Sequence, residues 1–382
     1  MEQQKKRARR FVMEQGAFLA IFFLLCLFAF VIANALTRDR EYSSAENRKL
    51  AQVPKFSLSA LLDGSYFTAW EDYLADQFVG RDTWITIDLQ ASRLLGAKEA
   101  GGVYLCADDS LMEAPAAPDE AGVNRNLDAI NGFAARHEDL RISMTVVPNA
   151  ACVLAEKLPD NAPVRDQRQD IKDIAARLQG VDFLDVTDAL AQHKDETIYY
   201  RTDHHWTSLG AYYAFSDMAA GLGIEQPTAE YDIYPVTDSF EGTLASKSGC
   251  HAVTDVIEVY VPKGDLQYYM TVDGERTATM YDREKLDEKD QYAVFLGGND
   301  ARVDITTTAE TGKTLLIFKD SYANCFLQFL LPYYDRIILL DARYYYGDAD
   351  SVISREGVTD VLFLYNANTF LTDRVLADVL AP

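Results

Sequence analysis

Residues 16–36 read GAFLAIFFLLCLFAFVIANAL, an apolar run without a charged side chain. As a helix it is long enough to cross about 30 Å of hydrocarbon. No polar face interrupts it, so it fits poorly as a core helix of a soluble domain. The run exceeds a usual signal-peptide core and IANAL is only a loose cleavage site, so an uncleaved anchor is expected over a cleaved signal. KKRARR at 5–10 favours a cytoplasmic N-terminus and puts the chain after residue 36 outside the cytoplasm. The first segments expected are thus a basic tail (1–15) and a single membrane span (16–36).

The period of the pattern then changes. After a polar stretch containing Pro54, Leu61, Leu62, Tyr66, Phe67, Trp70, Tyr73 and Leu74 recur at three- and four-residue intervals. That spacing predicts amphipathic helices over 57–95, so 37–98 reads as a stalk with amphipathic helices. GGVYLCADDSLME (101–113) predicts a hairpin bounded by Gly and Asp. A helix at 124–137, the strand RISMTVVP, a helix at 170–178 and the strand VDFLDV (181–186) follow. Residues 231–300, rich in Tyr, Val, Thr and Asp, predict antiparallel strands. The strand TLLIFKDS, the helix YANCFLQFLL stopped by Pro332, and the strands RIILLDAR and VTDVLFLYN close the chain. This alternation predicts an α/β sheet in a domain spanning 99–382, with a β-rich insertion around 231–300.

Composition narrows the partners. A net charge of −23, with no basic stripe beyond the first ten residues, argues against nucleic acid. Cys26 lies in the apolar run, while Cys106, Cys152, Cys250 and Cys325 are scattered and form no CxxC pair. A zinc ribbon or thioredoxin-type site is therefore not expected. Isolated thiols are the simplest reading, and one or two disulfides are compatible with an extracytoplasmic location. No cofactor is expected.

Two stretches carry candidate chemistry. In TLLIFKDSYAN a buried strand runs through KDS into a helix, which places Ser321 at the carboxyl end of a sheet strand, where open α/β folds bind ligands. The first-turn N–H groups could receive an oxyanion. The local pattern alone favours reading Ser321 as an ordinary N-cap. In YYRTDHHWTSLGAYYAF, Asp203 and His205 lie two positions apart before a helix predicted to start near Thr207 or Ser208. In an extended approach they share one side, with Asp203 holding His205 and His204 facing away. A metal site is the weaker reading, because adjacent histidines need further ligands at helical or hairpin spacing. A polar bend before a helix remains open. Trp206 either packs beneath the imidazole, the favoured reading, or offers a face to a sugar ring.

TDHHWTSLGAYYAF followed by KDSYAN, together with ENRKLAQVPKF, GGVYLCADDSLME, VVPN, LLDARYY and DVLFLYNANTF, resembles the DHHW family from about residue 46 onward. That family is related to the alginate O-acetyltransferase proteins, which carry a circularly permuted SGNH-hydrolase domain. The resemblance implies a flavodoxin-like, three-layer α/β fold with the serine block after the Asp/His block. It assigns Asp203 and His205 to acid and base and Ser321 to the nucleophile. Asn366 falls where the oxyanion asparagine is expected, and Arg343 at the loop that usually supplies a glycine. Lys319 replaces the glycine of GDS. FLGGND makes Asn299 a competing oxyanion candidate, and Tyr322 beside the serine joins the substrate-binding candidates with Trp206. The implied activity is acetyl transfer onto a cell-surface or secreted polysaccharide, the acetyl group being supplied by a membrane-bound O-acyltransferase. An acetyl esterase with the same triad, or a non-catalytic glycan-binding or assembly protein on the same fold, are the alternatives. Lys319 and Arg343 in place of glycines favour the last.

Overall fold

The computed structural model describes residues 2–381, with side chains from residue 15 onward, so the basic run at 5–10 lies outside the described side chains. The chain divides into two units, Met1–Leu95 and Gly96–Pro382.

The first unit opens with one long helix, α1 (Glu2–Leu36), whose segment Gln15–Leu36 has a mean hydropathy of 2.9 and the length to cross a membrane. The helical stretch expected over 57–95 is three helices, α2 (Leu58–Asp63), α3 (Ser65–Asp76) and α4 (Arg81–Leu94). Gly64 and Gly80 break it, with φ of 85° and 67°, a left-handed backbone that ends one helix and re-aims the next.

The second unit is built on an eight-stranded mixed sheet. In chain order its strands are β1 (Arg141–Val147), β2 (Asp182–Phe183), β3 (Tyr268–Val272), β4 (Glu275–Thr277), β5 (Arg302–Thr307), β6 (Thr314–Lys319), β7 (Arg336–Leu340) and β8 (Asp360–Asn366). The spatial order is β4-β3-β5-β7-β6-β8-β1-β2. From β7 to β2 neighbours run parallel, and β5, β3 and β4 add an antiparallel wing. Parallel strands need both faces covered, and β6 alternates between two cores accordingly. Leu315 and Ile317 pack with Trp206, Phe215 and Phe326 on one face. Leu316 and Phe318 pack on the other with Leu127, Ile130 and Phe133 of helix α5 (Glu120–Arg136). The result is three layers with the serine strand at the centre.

Several expectations shift. VDFLDV pairs over only Asp182–Phe183, at the sheet edge. The 231–300 region splits: Tyr231–Phe240 and Asp255–Pro262 form a separate bulged ribbon, while β3 and β4 extend the main sheet. The helix after Ser321 is α-helical only over Tyr322–Phe326 and continues as tight turns. All five cysteines are free, with Cys106, Cys250 and Cys325 buried.

Candidate active site

The DHHW stretch is a closed bend, not the extended approach its spacing suggests. An antiparallel bridge joins Tyr199 to Trp206, and the Tyr200 N–H donates to the His205 carbonyl at 3.2 Å. The buried Asp255 carboxylate ties the loop from outside, accepting from the N–H groups of Arg201 (3.0 Å) and Thr202 (2.8 Å). Within the bend, Asp203 Oδ1 accepts from the His205 N–H (3.0 Å) and contacts His205 Nδ1 (2.5 Å). An Asx turn, not a shared strand face, is what brings residues i and i+2 together.

Thr207 then caps the helix Ser208–Met218, its hydroxyl accepting from the Gly210 N–H. The second oxygen of Asp203 accepts from the Thr243 N–H (2.7 Å) and hydroxyl (2.9 Å). Gly242 makes this approach possible, because a Cβ there would lie 2.2 Å from Asp203 Cβ.

His205 Nε2 lies 2.7 Å from Ser321 Oγ. A carboxylate can only accept, so Nδ1 carries the proton toward Asp203 and Nε2 of the neutral ring is left to accept from the serine. The Ser321 backbone is helical (φ −67°, ψ −16°) and its side chain caps nothing, which removes the N-cap reading. Tyr292 stacks on the imidazole, centroids 3.8 Å apart, and its hydroxyl donates to the Ser321 carbonyl at 3.0 Å.

The turn after Ser321 is more committed than its sequence suggests. The Tyr322 N–H donates to Asp320 Oδ1 (2.9 Å), and those of Ala323 and Asn324 to the carbonyls of Asp320 and Ser321. Asp320 Oδ2 in turn accepts from the Asn366 N–H (2.8 Å), which joins the turn at Ser321 to the end of β8.

The electrostatics follow from burial and partners. Burial alone would raise the Asp203 carboxyl. The charges of His204 and His205 and the hydrogen bonds from His205 and Thr243 outweigh it, and Asp203 is held well below the usual carboxylate range. Burial, with the neighbouring His205 charge, lowers His204. Burial raises Asp320 despite its backbone donors.

The remaining sequence candidates scatter. Asn366 lines an open cleft of about 420 Å³ with Glu113, His204, Thr243, Lys247 and Asn368. Its amide belongs to a buried network, donating to the Val147 carbonyl (3.3 Å) and accepting from Asn149 (3.3 Å). Arg343 is not in this cleft: Asp341 grips its guanidinium with bonds of 2.8 and 2.5 Å, and it lines a different recess with Tyr346 and Val379. Asn299 is turned to Lys319, whose Nζ donates to Asn299 Oδ1 (2.9 Å) and Asn324 Oδ1 (2.7 Å). Lys319 is fully buried, and desolvation lowers it to about 8.

Trp206 is wholly buried, donates to the Tyr322 carbonyl (3.0 Å) and stacks on Phe326, so it offers no face to a sugar. Tyr292, not Trp206, supports the imidazole. Tyr322 is equally buried, its hydroxyl donating to the His204 carbonyl. His204 does not face away: its ring lies 3.9 Å from that of His205, and Nδ1 meets the Thr243 hydroxyl at 2.7 Å. Asp203, His204 and His205 bring ligand atoms within 4.8 Å of one another, the compactness a metal ion needs. Each of those groups is already hydrogen-bonded, and the donor set lacks a further His or Cys.

Thr243, Gly242, Tyr292 and Glu113 carry no signal of their own in the sequence. Asp203, His205 and Ser321 line neither the cleft beside Asn366 nor a larger recess of about 760 Å³ between Asp108 and Glu258.

A family model described as DHHW protein matches residues 46–131 and 145–340. No curated protein matches the chain. Among solved structures, it is similar to a DHHW family protein from Eubacterium siraeum, at 26% identity and a TM-score of 0.62, covering 73% of this chain and 95% of that one. It also shares its fold with Bacillus cereus PatB1, solved with a sulfonyl adduct, at 18% identity and a TM-score of 0.59, covering 72% and 97%. A looser match is the O-acetyltransferase domain of Pseudomonas putida AlgJ, at 16% identity and a TM-score of 0.44, covering 71% and 93%.

Proposed function

Because the chain belongs to the DHHW protein family, we propose that it is a membrane-anchored O-acetyltransferase that modifies a cell-surface or secreted polysaccharide through Ser321, His205 and Asp203. The observation that carries this reading is the hydrogen-bonded line from Asp203 through His205 to Ser321, with separations of 2.5 and 2.7 Å. Ser321 Oγ attacks the carbonyl carbon of an acetyl donor while His205 Nε2 takes its proton. The donor's leaving oxygen departs with that proton, and the acetyl group stays on Ser321. A sugar hydroxyl then gives its proton to His205 and attacks the acyl carbon, and Ser321 Oγ is reprotonated as it leaves. Asp203 remains ionised throughout, which agrees with its lowered pKa, and stabilises the imidazolium.

The Ser321 N–H, with Asn366 at the neighbouring cleft, is the oxyanion donor set this reading uses. Arg343, which lines a different recess, and Asn299, which is turned to Lys319 and does not line this cleft, are left out of it. The cleft is lined by Glu113, Lys247, His204, Thr243, Asn366, Asn368 and Thr369, with Leu244 its one large apolar residue. That lining suits a hydroxyl-rich acceptor better than an acyl chain.

The anchor at 16–36 would keep the N-terminus cytoplasmic and the catalytic domain, 99–382, outside, near a membrane-bound O-acyltransferase supplying the acetyl group. The segment 37–98 connects them.

The test incubates the detergent-solubilised full chain with a chromogenic acetyl ester, with and without an oligosaccharide acceptor, beside Ser321→Ala. Acetylated oligosaccharide formed by the native protein alone supports transfer. Free acetate without acceptor dependence points to an esterase. Turnover that survives Ser321→Ala sinks the triad, and glycan binding without any turnover favours a binding module.

A further inference from the structure

Helices α2, α3 and α4 expose what such helices usually bury. Across all three, Leu89 is the single buried apolar side chain. Their apolar positions nevertheless follow helical spacing: Leu58 and Leu62 on α2; Phe67, Trp70 and Leu74 on α3; Trp84, Ile87, Ala91 and Leu94 on α4. Helices this short draw their stability from a covered apolar face. Here Leu62, Phe67, Ile87 and Leu94 stand 80%, 59%, 50% and 89% exposed.

The same unit joins this surface to the apolar helix. Phe78 and Trp84 pack against Phe30 with centroid separations of 5.8 and 5.9 Å, and Asn34 Oδ1 accepts from the Val79 N–H at 2.7 Å. Phe30 lies six residues before the end of α1, about 9 Å along its axis. If α1 spans a bilayer, Phe30 sits just inside the hydrocarbon and Trp84 is held at the level of the headgroups. Tryptophan is enriched at that depth. Arg48 pairs with Asp76 (2.5 Å) and Arg40 with Asp82 (2.8 Å), while Glu71 and Asp88 stand exposed beside the apolar positions of α3 and α4.

We propose that α2–α4 form a collar that lies in the outer interface of the phospholipid bilayer, with Trp84 and Phe78 inserted beside α1 and the stripes of α3 and α4 facing lipid. The inference rests on the anchor reading of residues 16–36. It assigns 57–95 a second membrane contact, which would restrain the connection to the catalytic unit more tightly than a free stalk does.

Tryptophan supplies the probe, since the chain has three, at 70, 84 and 206, and Trp206 is fully buried. The full chain is reconstituted into phosphatidylcholine vesicles brominated either near the glycerol end of the acyl chains or deep in them. Retention in the vesicles through alkaline carbonate washing tests the anchor separately. The expected result is strong quenching by the shallow bromines that falls by more than half in the double variant Trp70→Phe/Trp84→Phe, which keeps only the buried Trp206, while deep bromines quench both proteins weakly. A chain that is retained but shows equal shallow quenching in wild type and the double variant overturns the collar, and means that protein, not lipid, covers this face. A chain that washes off overturns the anchor and the collar with it.

Discussion

Tyr292 lies flat against the His205 imidazole, the ring planes 12° apart, and the same side chain donates its hydroxyl to the carbonyl of Ser321. One residue thus touches both the His205 ring and the backbone that carries Ser321, the proposed base and nucleophile. Tyr292→Phe keeps the stacked ring and loses only the hydroxyl bond, so kcat should fall modestly. Tyr292→Ala removes the surface that stops the imidazole from tilting, and misplacement on the order of 1 Å costs about a hundredfold in rate. Steady-state hydrolysis of an acetyl ester by the two variants checks this; equal losses would mean that the hydroxyl, not the stacking, matters.

Asp203 links activity to acid stability. Its folded pKa is depressed, so the stabilisation it supplies is fully present above the unfolded carboxylate value of about 4 and is lost as pH falls toward the folded value. Asp203→Asn should lose activity by about 10⁴-fold, because the amide no longer fixes the imidazole tautomer. Urea denaturation from neutral pH downward should show the wild-type advantage over Asp203→Asn shrinking as the medium becomes more acid than pH 4. An advantage that stays constant across that range would remove the ionised pair as its source.

The strands TLLIF, RIILL and VLFLY were legible because a parallel sheet covered on both faces demands continuous apolar runs. The pairing of Asp203 with His205 was legible in residue type but not in shape. An Asx turn is made by a side chain folding back on its own backbone, and it leaves no periodic trace. Where the helix after Ser321 ends, the Gln328 side chain donates to the Cys325 carbonyl at 2.6 Å and satisfies an acceptor left over by the shortened helix. Thr243 and Tyr292 reach the site from the region read only as a β-rich insertion. Their roles come from long-range packing, with Thr243 forty residues from Asp203. The pairing of Arg343 with Asp341, two residues earlier, is a local hydrogen-bonded contact that position in the chain does not reveal.

Gly242 offers a substitution one atom group in size. A Cβ at this position would fall 2.4 Å from Asp203 Oδ2, well inside any permitted contact. Gly242→Ala must push the carboxylate off His205 or shift the 242–243 backbone that donates to it. Activity should drop about a hundredfold. The decisive readout is the split: kcat falls while glycan affinity, measured by calorimetry, stays near the native value. Undiminished kcat would show that Asp203 can relax without consequence for the base.

Lys319 gives the last prediction, and its sign is opposite to that of Asp203. The ammonium is buried behind the turn at Ser321, held by Asn299, Asn324 and, at 3.8 Å, Asp341. Its pKa is about 8 in the folded chain, whereas an unfolded lysine titrates near 10.4. Between those values the unfolded chain binds more protons than the folded one. The penalty for burying the charge is therefore fully present below pH 8 and relieved as pH rises through it. The lysine term alone should make the wild type more stable on going from about pH 8 to about pH 10. Lys319→Met, which keeps the length and removes the charge, should lack that rise, so the difference between the two urea midpoints should change with pH over this window. It should also loosen the tie between Asn324 and the Gly298–Asn299 loop, to which Asn324 Nδ2 donates at 3.2 Å. Parallel pH profiles for the two proteins would mean that Lys319 does not titrate there, and that its role is confined to bridging the turn at Ser321 to that loop.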